Sequence, residues 1–241
     1  MAGTWTGRLA RVVAAYAVIA LVVVAWGWLL THPLQGPVEG VDDDVSRWFE
    51  DQRTSALDPV SDVGTLLGET PVALGFGILV ALVAGFALRS VAAAALTLVA
   101  DVGDGGIYWL GTHADPRDRP PVHLMDSGLV PDASFPSGHV GSAIAVYGSA
   151  ALLLALWLRR RGRATGVGGA VVALLVCVPL FVALSRLYQG AHHLTDVATA
   201  LVYGTVWVLV CATLLGLRST ASDAAVPRSA GGLRDTPVPH R

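Results

Sequence analysis

Long apolar runs separated by short polar stretches set the pattern of the chain. They cover about residues 12–30, 71–88, 91–110, 138–158, 167–184 and 194–217. Runs that approach or exceed about 18 apolar residues are long enough to cross a membrane as helices. The pattern predicts an all-α fold, a six-span transmembrane helical bundle over residues 12–217. Residues 1–11 form a short N-terminal segment before it. Residues 218–241 are rich in Pro, Gly, Ser and Arg, lack apolar periodicity, and are expected to be a disordered tail. The first run follows Arg8 and Arg11 as a signal peptide would. Its core is longer than a signal peptide's 7–15 residues and no small-residue cleavage site follows, so it reads as a retained helix.

Two polar segments break the pattern. Residues 31–70 hold an acidic stretch that includes Asp42, Asp43, Asp44, Glu50, Asp51, Asp58 and Asp62. Within it Val41, Val45, Trp48 and Phe49 recur at helical spacing, which fits an amphipathic helix lying in the interface. A solvated acidic loop fits equally well. Residues 111–137 form a polar loop with Asp115, Arg117, Asp118 and Arg119. Asp101 and Asp104 fall inside the third run, one turn apart, where an unpaired carboxylate is costly. They are expected to face the bundle interior or water, either as structural partners or beneath an active site.

Composition supports the membrane reading. Of 241 residues, 54% are hydrophobic and 14% charged, and the mean hydropathy is +0.60, too apolar for an ordinary soluble domain. No basic, aromatic-rich stripe of the kind that tracks nucleic acid is present, so no nucleic-acid partner is expected. Cys177 and Cys211 lie inside apolar runs and give neither a disulfide framework nor a metal site. All sixteen basic residues are arginine. Arg8, Arg11, Arg89, Arg159 to Arg163 and Arg218 fall on one face of a six-span count, which the excess of positive charge marks as cytoplasmic. Both termini are therefore expected in the cytoplasm. The 31–70 and 111–137 loops and the stretch from Ser185 to Asp196 are expected on the extracytoplasmic face.

That stretch, SRLYQGAHHLTD, places ionisable groups at a membrane boundary, which is a functional-site hypothesis by default. Its partners on the same face are Arg119-Pro120 and Pro136-Ser137-Gly138-His139. Together they form an inventory for phosphoryl transfer. Guanidinium groups, here Arg119 and Arg186, hold phosphate oxygens through paired charge-assisted hydrogen bonds. Ser137 can cap the fourth helix, and the backbone N–H groups of its start, Gly138 included, make an anion seat. A neutral imidazole can attack phosphorus when a carboxylate holds its other nitrogen. His192 and His193 lie four and three residues before Asp196, and helical geometry alone leaves both open. His139 can protonate the departing oxygen.

Pro136-Ser137-Gly138-His139 and Ser185-Arg186-x5-His192-x3-Asp196 resemble the second and third signature motifs of the type 2 phosphatidic acid phosphatase superfamily. Arg119-Pro120 resembles the end of the first. The resemblance covers about residues 10–217. It implies that His192 is the nucleophile forming a phosphohistidine, Asp196 its partner and His139 the general acid. Arg119, Arg186, Ser137 and Gly138 would hold the phosphate, with no metal and no cofactor. One position departs: the first motif's lysine, seven residues before its arginine, is Thr112 here. Losing one such donor costs about 10²–10³ in rate. Arg117 could replace the missing cation, or could pair with Asp115 or Asp118 as an exposed loop arginine.

The expected function is an integral membrane lipid phosphate or diphosphate phosphatase. A polyprenyl (undecaprenyl-type) diphosphate is the first substrate to test. Phosphatidate, phosphatidylglycerol phosphate and diacylglycerol diphosphate are alternatives. A lipid phosphotransferase and a non-catalytic lipid-phosphate binding or transport protein are rival classes.

Overall fold

The structure, a computed structural model, describes residues 5–162 and 166–217. The tail expected over residues 218–241 lies outside these residues, as does Arg163. The elements run α1 (Trp5–Thr31), α2 (Gln35–Asp51), α3 (Asp58–Gly68), α4 (Thr70–Leu88), α5 (Val91–Ala114), α6 (Gly138–Ala143), α7 (Ser149–Arg160), α8 (Gly166–Tyr188) and α9 (Leu194–Leu214). A π-helical turn, Ile144–Gly148, joins α6 to α7, so Gly138–Arg160 acts as one span. Six helices among the described residues are long and apolar enough to cross a membrane. Helices close every backbone hydrogen bond internally, which hydrocarbon requires. The fold is the all-α, six-span bundle that the apolar runs predict.

Small residues and a few large apolar ones fill the interior of the bundle, and many large apolar side chains face outward. Leu82, Phe86 and Val102 stand exposed on the outer surface, while Ala93, Leu96, Ala100, Val182, Ala200 and Trp207 fill the interior. The Trp207 indole N–H donates to the Ala100 carbonyl at 3.0 Å, tying α9 to α5. Burying an indole without such a partner would leave a polar group unsatisfied. The chain reverses from α4 to α5 through Arg89 in the left-handed conformation. The Ser90 hydroxyl then caps α5 by accepting from the Ala93 N–H.

The acidic segment is not a loop, and the helix expected around Val41, Val45, Trp48 and Phe49 is present as α2. The segment forms two helices, α2 and α3. In α2 the buried side is polar, with Asp42 0% exposed and Ser46 likewise enclosed. Val41 and Trp48 are 58% and 56% exposed on the other side. Asp44 and Arg47 are exposed beside them, so the outward face mixes apolar and charged side chains. The helix α3 lies against α8 at short range. A Cβ on Gly64 would stand 2.7 Å from the Ser185 Cβ, so only glycine permits that approach. This contact places α3 beside Ser185 and Arg186.

Candidate active site

The three separated motifs meet at one end of the bundle. The end of α1 meets the end of α5 there, through a hydrogen bond from the Thr31 hydroxyl to Asp115. Arg8 reaches the Leu215 carbonyl at the opposite end. A cavity of about 240 Å³ opens between α5, α6 and the loop before α9, and Arg119, Gly138, His139 and His192 share its wall. Tyr108 lines it too, as do Asp101 and Asp104.

Gly190, with φ +69°, turns the chain sharply after α8 and so delivers His192 to the cavity. The His192 Nδ1 lies 2.7 Å from the Ser134 carbonyl oxygen. A carbonyl can only accept, so Nδ1 carries the proton and Nε2 keeps its lone pair. Asp196 Oδ2 is 3.7 Å from Nδ1, too far for a hydrogen bond. The direct His192–Asp196 bond that the resemblance implies is therefore not made. Asp196 is instead held by the Ser134 hydroxyl at 2.6 Å, the His193 backbone N–H at 2.9 Å and Arg117 at 2.5 Å. Of the two histidines, His192 lines this cavity and His193 does not. His193 turns away, with Nε2 3.1 Å from the Asp118 carbonyl. Burial pushes the His192 pKa below its ordinary value. Asp196 opposes that shift, while Arg186 and Arg119 reinforce it.

The arginines separate into distinct roles. Arg119 donates from Nε to the Val130 carbonyl at 2.9 Å, from Nη1 to Ala191 at 2.5 Å and from Nη2 to Ala133 at 3.2 Å. Each Nη keeps a second N–H, and the side chain is on the cavity wall. Burial lowers its pKa, with Tyr108, Asp196 and Asp126 acting in the opposite sense. Arg186 is 0% exposed. Its Nη1 and Nη2 lie 3.2 and 3.3 Å from one oxygen of Asp126, and Nη1 also donates to Thr65 and Gln189. Its buried Nε has no hydrogen-bond partner among the described residues.

Arg117, the candidate second clamp, is not on the wall of this cavity, and it is not an exposed loop arginine. It donates to Asp42 at 2.8 Å and to Asp196 at 2.5 Å, behind the histidine. Burial alone would lower its pKa, but the two carboxylates outweigh that and raise it. Ser137 occupies the position before α6, yet its hydroxyl makes no capping bond and is buried without a partner among the described residues. The Thr112 hydroxyl bonds back to the Tyr108 and Trp109 carbonyls of its own helix, both at 3.1 Å. It supplies no substitute donor at the cavity.

The intramembrane carboxylates are paired, as the structural expectation has it. Asp101 accepts from Ser142 at 2.6 Å and Asp104 from Tyr203 at 2.8 Å, and both also line the cavity. Sequence reasoning missed Ser134, Asp42 and Asp126. Ser134 stands just before the tetrapeptide motif, where no periodicity singles it out. Asp42 is one of three consecutive aspartates, and only helical phase distinguishes it. Among the described residues, no group of three or more His, Cys, Asp or Glu side chains is placed to ligate a metal.

A six-span helical bundle with this constellation at one end defines a membrane protein of the phosphatidic acid phosphatase class. The family model described as the PAP2 superfamily matches residues 87–219, and the chain belongs to that superfamily. The structure is similar to that of a solved protein described as the first transmembrane PAP2 type phosphatidylglycerolphosphate phosphatase from Bacillus subtilis. The TM-score is 0.62 at 20% sequence identity, covering 86% of this chain and 96% of that one. No curated protein sequence matches the chain.

Proposed function

We propose that the protein is an integral membrane phosphatase that hydrolyses a lipid phosphate or diphosphate through a phosphohistidine. The observation that carries this reading is the His192 tautomer: Nδ1 is committed to the Ser134 carbonyl, so the unprotonated Nε2 is the nucleophilic nitrogen. In the first step Nε2 attacks phosphorus and the bond from phosphorus to the leaving oxygen breaks. His139 gives that oxygen its proton. In the second step water attacks phosphorus, the bond from phosphorus to His192 Nε2 breaks, His139 takes the water's proton, and phosphate departs. Arg119 and Arg186, with Ser137 and Gly138, hold the phosphoryl oxygens and take up the charge developing on them. The reaction is proposed to need no metal.

The bundle end with the site is proposed to be extracytoplasmic and both termini cytoplasmic, because the arginine-rich loops lie at the other end. A polyprenyl diphosphate is the first substrate proposed. A second reading, phosphatidylglycerol phosphate, is favoured by the likeness in fold to the phosphatidylglycerolphosphate phosphatase from Bacillus subtilis. The test is phosphate release by purified protein, with chelator present, from polyprenyl diphosphate, phosphatidate, phosphatidylglycerol phosphate and diacylglycerol diphosphate. Release that is abolished in His192→Ala supports the mechanism. Unchanged release in that variant would sink it. Transfer to added alcohols in place of free phosphate would indicate a phosphotransferase, and no turnover on any lipid a binding protein.

A further inference from the structure

Asp42 lies on α2, outside the residues that the family model matches. It is fully buried and saturated with hydrogen bonds. Its Oδ2 accepts from Arg117 Nη2 at 2.8 Å and from the Thr195 hydroxyl at 2.6 Å, and its Oδ1 from the Thr195 backbone N–H at 3.0 Å. Arg117 Nη1 donates to Asp196 Oδ1 and also to the Thr195 hydroxyl at 2.8 Å. One guanidinium is thus shared by two carboxylates, both 0% exposed.

The charge count matters because burial weakens screening. Two carboxylates and one guanidinium leave one negative charge in excess behind His192. A neutral Asp42 would leave none, and Arg117 would act on Asp196 alone. We propose that Asp42 is a positioning residue for the reaction at His192: it holds Arg117 between two buried carboxylates and so keeps one net negative charge to match the imidazolium that phosphoryl transfer creates. This rests on the phosphatase reading above. The charged and titratable groups facing His192 are Asp196 on α9, Arg186 on α8, Arg119 from the 115–137 loop and His139 on α6. Those facing Asp196 also include Arg117 and His193. Asp42 reaches His192 only through Arg117 and Asp196. A purely architectural role, pinning α2 to the start of α9 through Thr195, would leave the titration of His192 unmoved.

The experiment compares full-length wild type, Asp42→Asn and Arg117→Gln in detergent micelles. It follows the His192 ring resonance by NMR against pH, assigned by its loss in His192→Ala, and the pH profile of kcat/KM on whichever of the four lipids is hydrolysed fastest. Asp42→Asn is expected to lower the His192 midpoint and the acid limb by roughly 0.5–1 pH unit, less than the 1–3 units of a charge in direct contact. Arg117→Gln is expected to raise both. In Asp42→Asn, kcat is expected to fall about tenfold with KM nearly unchanged, because the interaction is needed mainly when charge develops. Coincident midpoints in wild type and Asp42→Asn would overturn the proposal. Should Asp42→Asn not accumulate, an unmoved midpoint in Arg117→Gln would overturn it. Displaced midpoints without phosphate release from any lipid would sink the phosphatase reading and leave the charge coupling standing. Phosphate release with coincident midpoints would do the reverse.

Discussion

His192 and Asp196 are linked through Ser134 and do not bond to each other. The Ser134 carbonyl accepts from the ring at 2.7 Å and the Ser134 hydroxyl donates to the carboxylate at 2.6 Å, while Nδ1 and Oδ2 stand 3.7 Å apart. Orientation of the ring and electrostatic support for its cation are therefore supplied by different groups.

That division predicts an unusual mutational signature. Where a buried carboxylate alone sets a histidine's tautomer, changing it to the amide costs about 10⁴ in kcat. Here the Ser134 carbonyl keeps the tautomer, so Asp196→Asn is expected to cost only about 10² in kcat. Ser134→Ala, which retains the carbonyl and loses the hydroxyl, is expected to cost about tenfold. Steady-state kinetics on the preferred lipid check both. A loss near 10⁴ in Asp196→Asn would show that the carboxylate, and not the carbonyl, governs the ring.

The pH profile follows from the direction of the His192 shift. Burial holds its pKa below the ordinary value of about 6.5, so the imidazole stays neutral as pH falls through that value and is protonated only further down. The acid limb of kcat/KM, which reports the free enzyme, is expected below about pH 6.5. A limb midpoint at or above that value would contradict the buried, cation-flanked setting.

Asp126 occupies the guanidinium fork of Arg186, where a phosphoryl group is proposed to sit. A phosphate must displace this carboxylate to reach Arg186. Asp126→Asn is expected to tighten product inhibition by inorganic phosphate severalfold, within the range that an ion pair with a largely buried partner spans. An unchanged inhibition constant would mean that the carboxylate and the phosphate do not compete.

Thr112 turns its hydroxyl onto its own helix, one turn above Tyr108 on the cavity wall. A lysine at this position would add a cation on the cavity side of α5. Thr112→Lys is expected to raise kcat/KM about tenfold, part of the 10²–10³ that one donor can be worth. Turnover assays on wild type and variant decide, and the absence of any gain would mean that Arg119 and Arg186 already suffice.

The sequence by itself determined the spans. Long apolar runs have few stable forms in hydrocarbon, so the helices expected over residues 71–88 and 91–110 emerge as Thr70–Leu88 and Val91–Ala114. It also marked His139, His192 and Arg119, because ionisable groups beside apolar runs are too costly to be incidental, and the structure brings these three to one cavity. What the fold alone decided is which polar atoms meet. Asp42 and Asp196 are far apart in sequence and share Arg117 only because α2 folds its polar side onto the start of α9. Spacing along a helix placed Asp196 beside His192, but not within hydrogen-bond distance. That last ångström depends on Ser134, carried in by a loop whose pairing of Arg117 with Ala133 no periodicity encodes. Helical repeat fixes which residues share a face of one element. The closing distances between elements are set by packing, where small residues such as Gly64 allow contact and buried hydrogen bonds choose their partners.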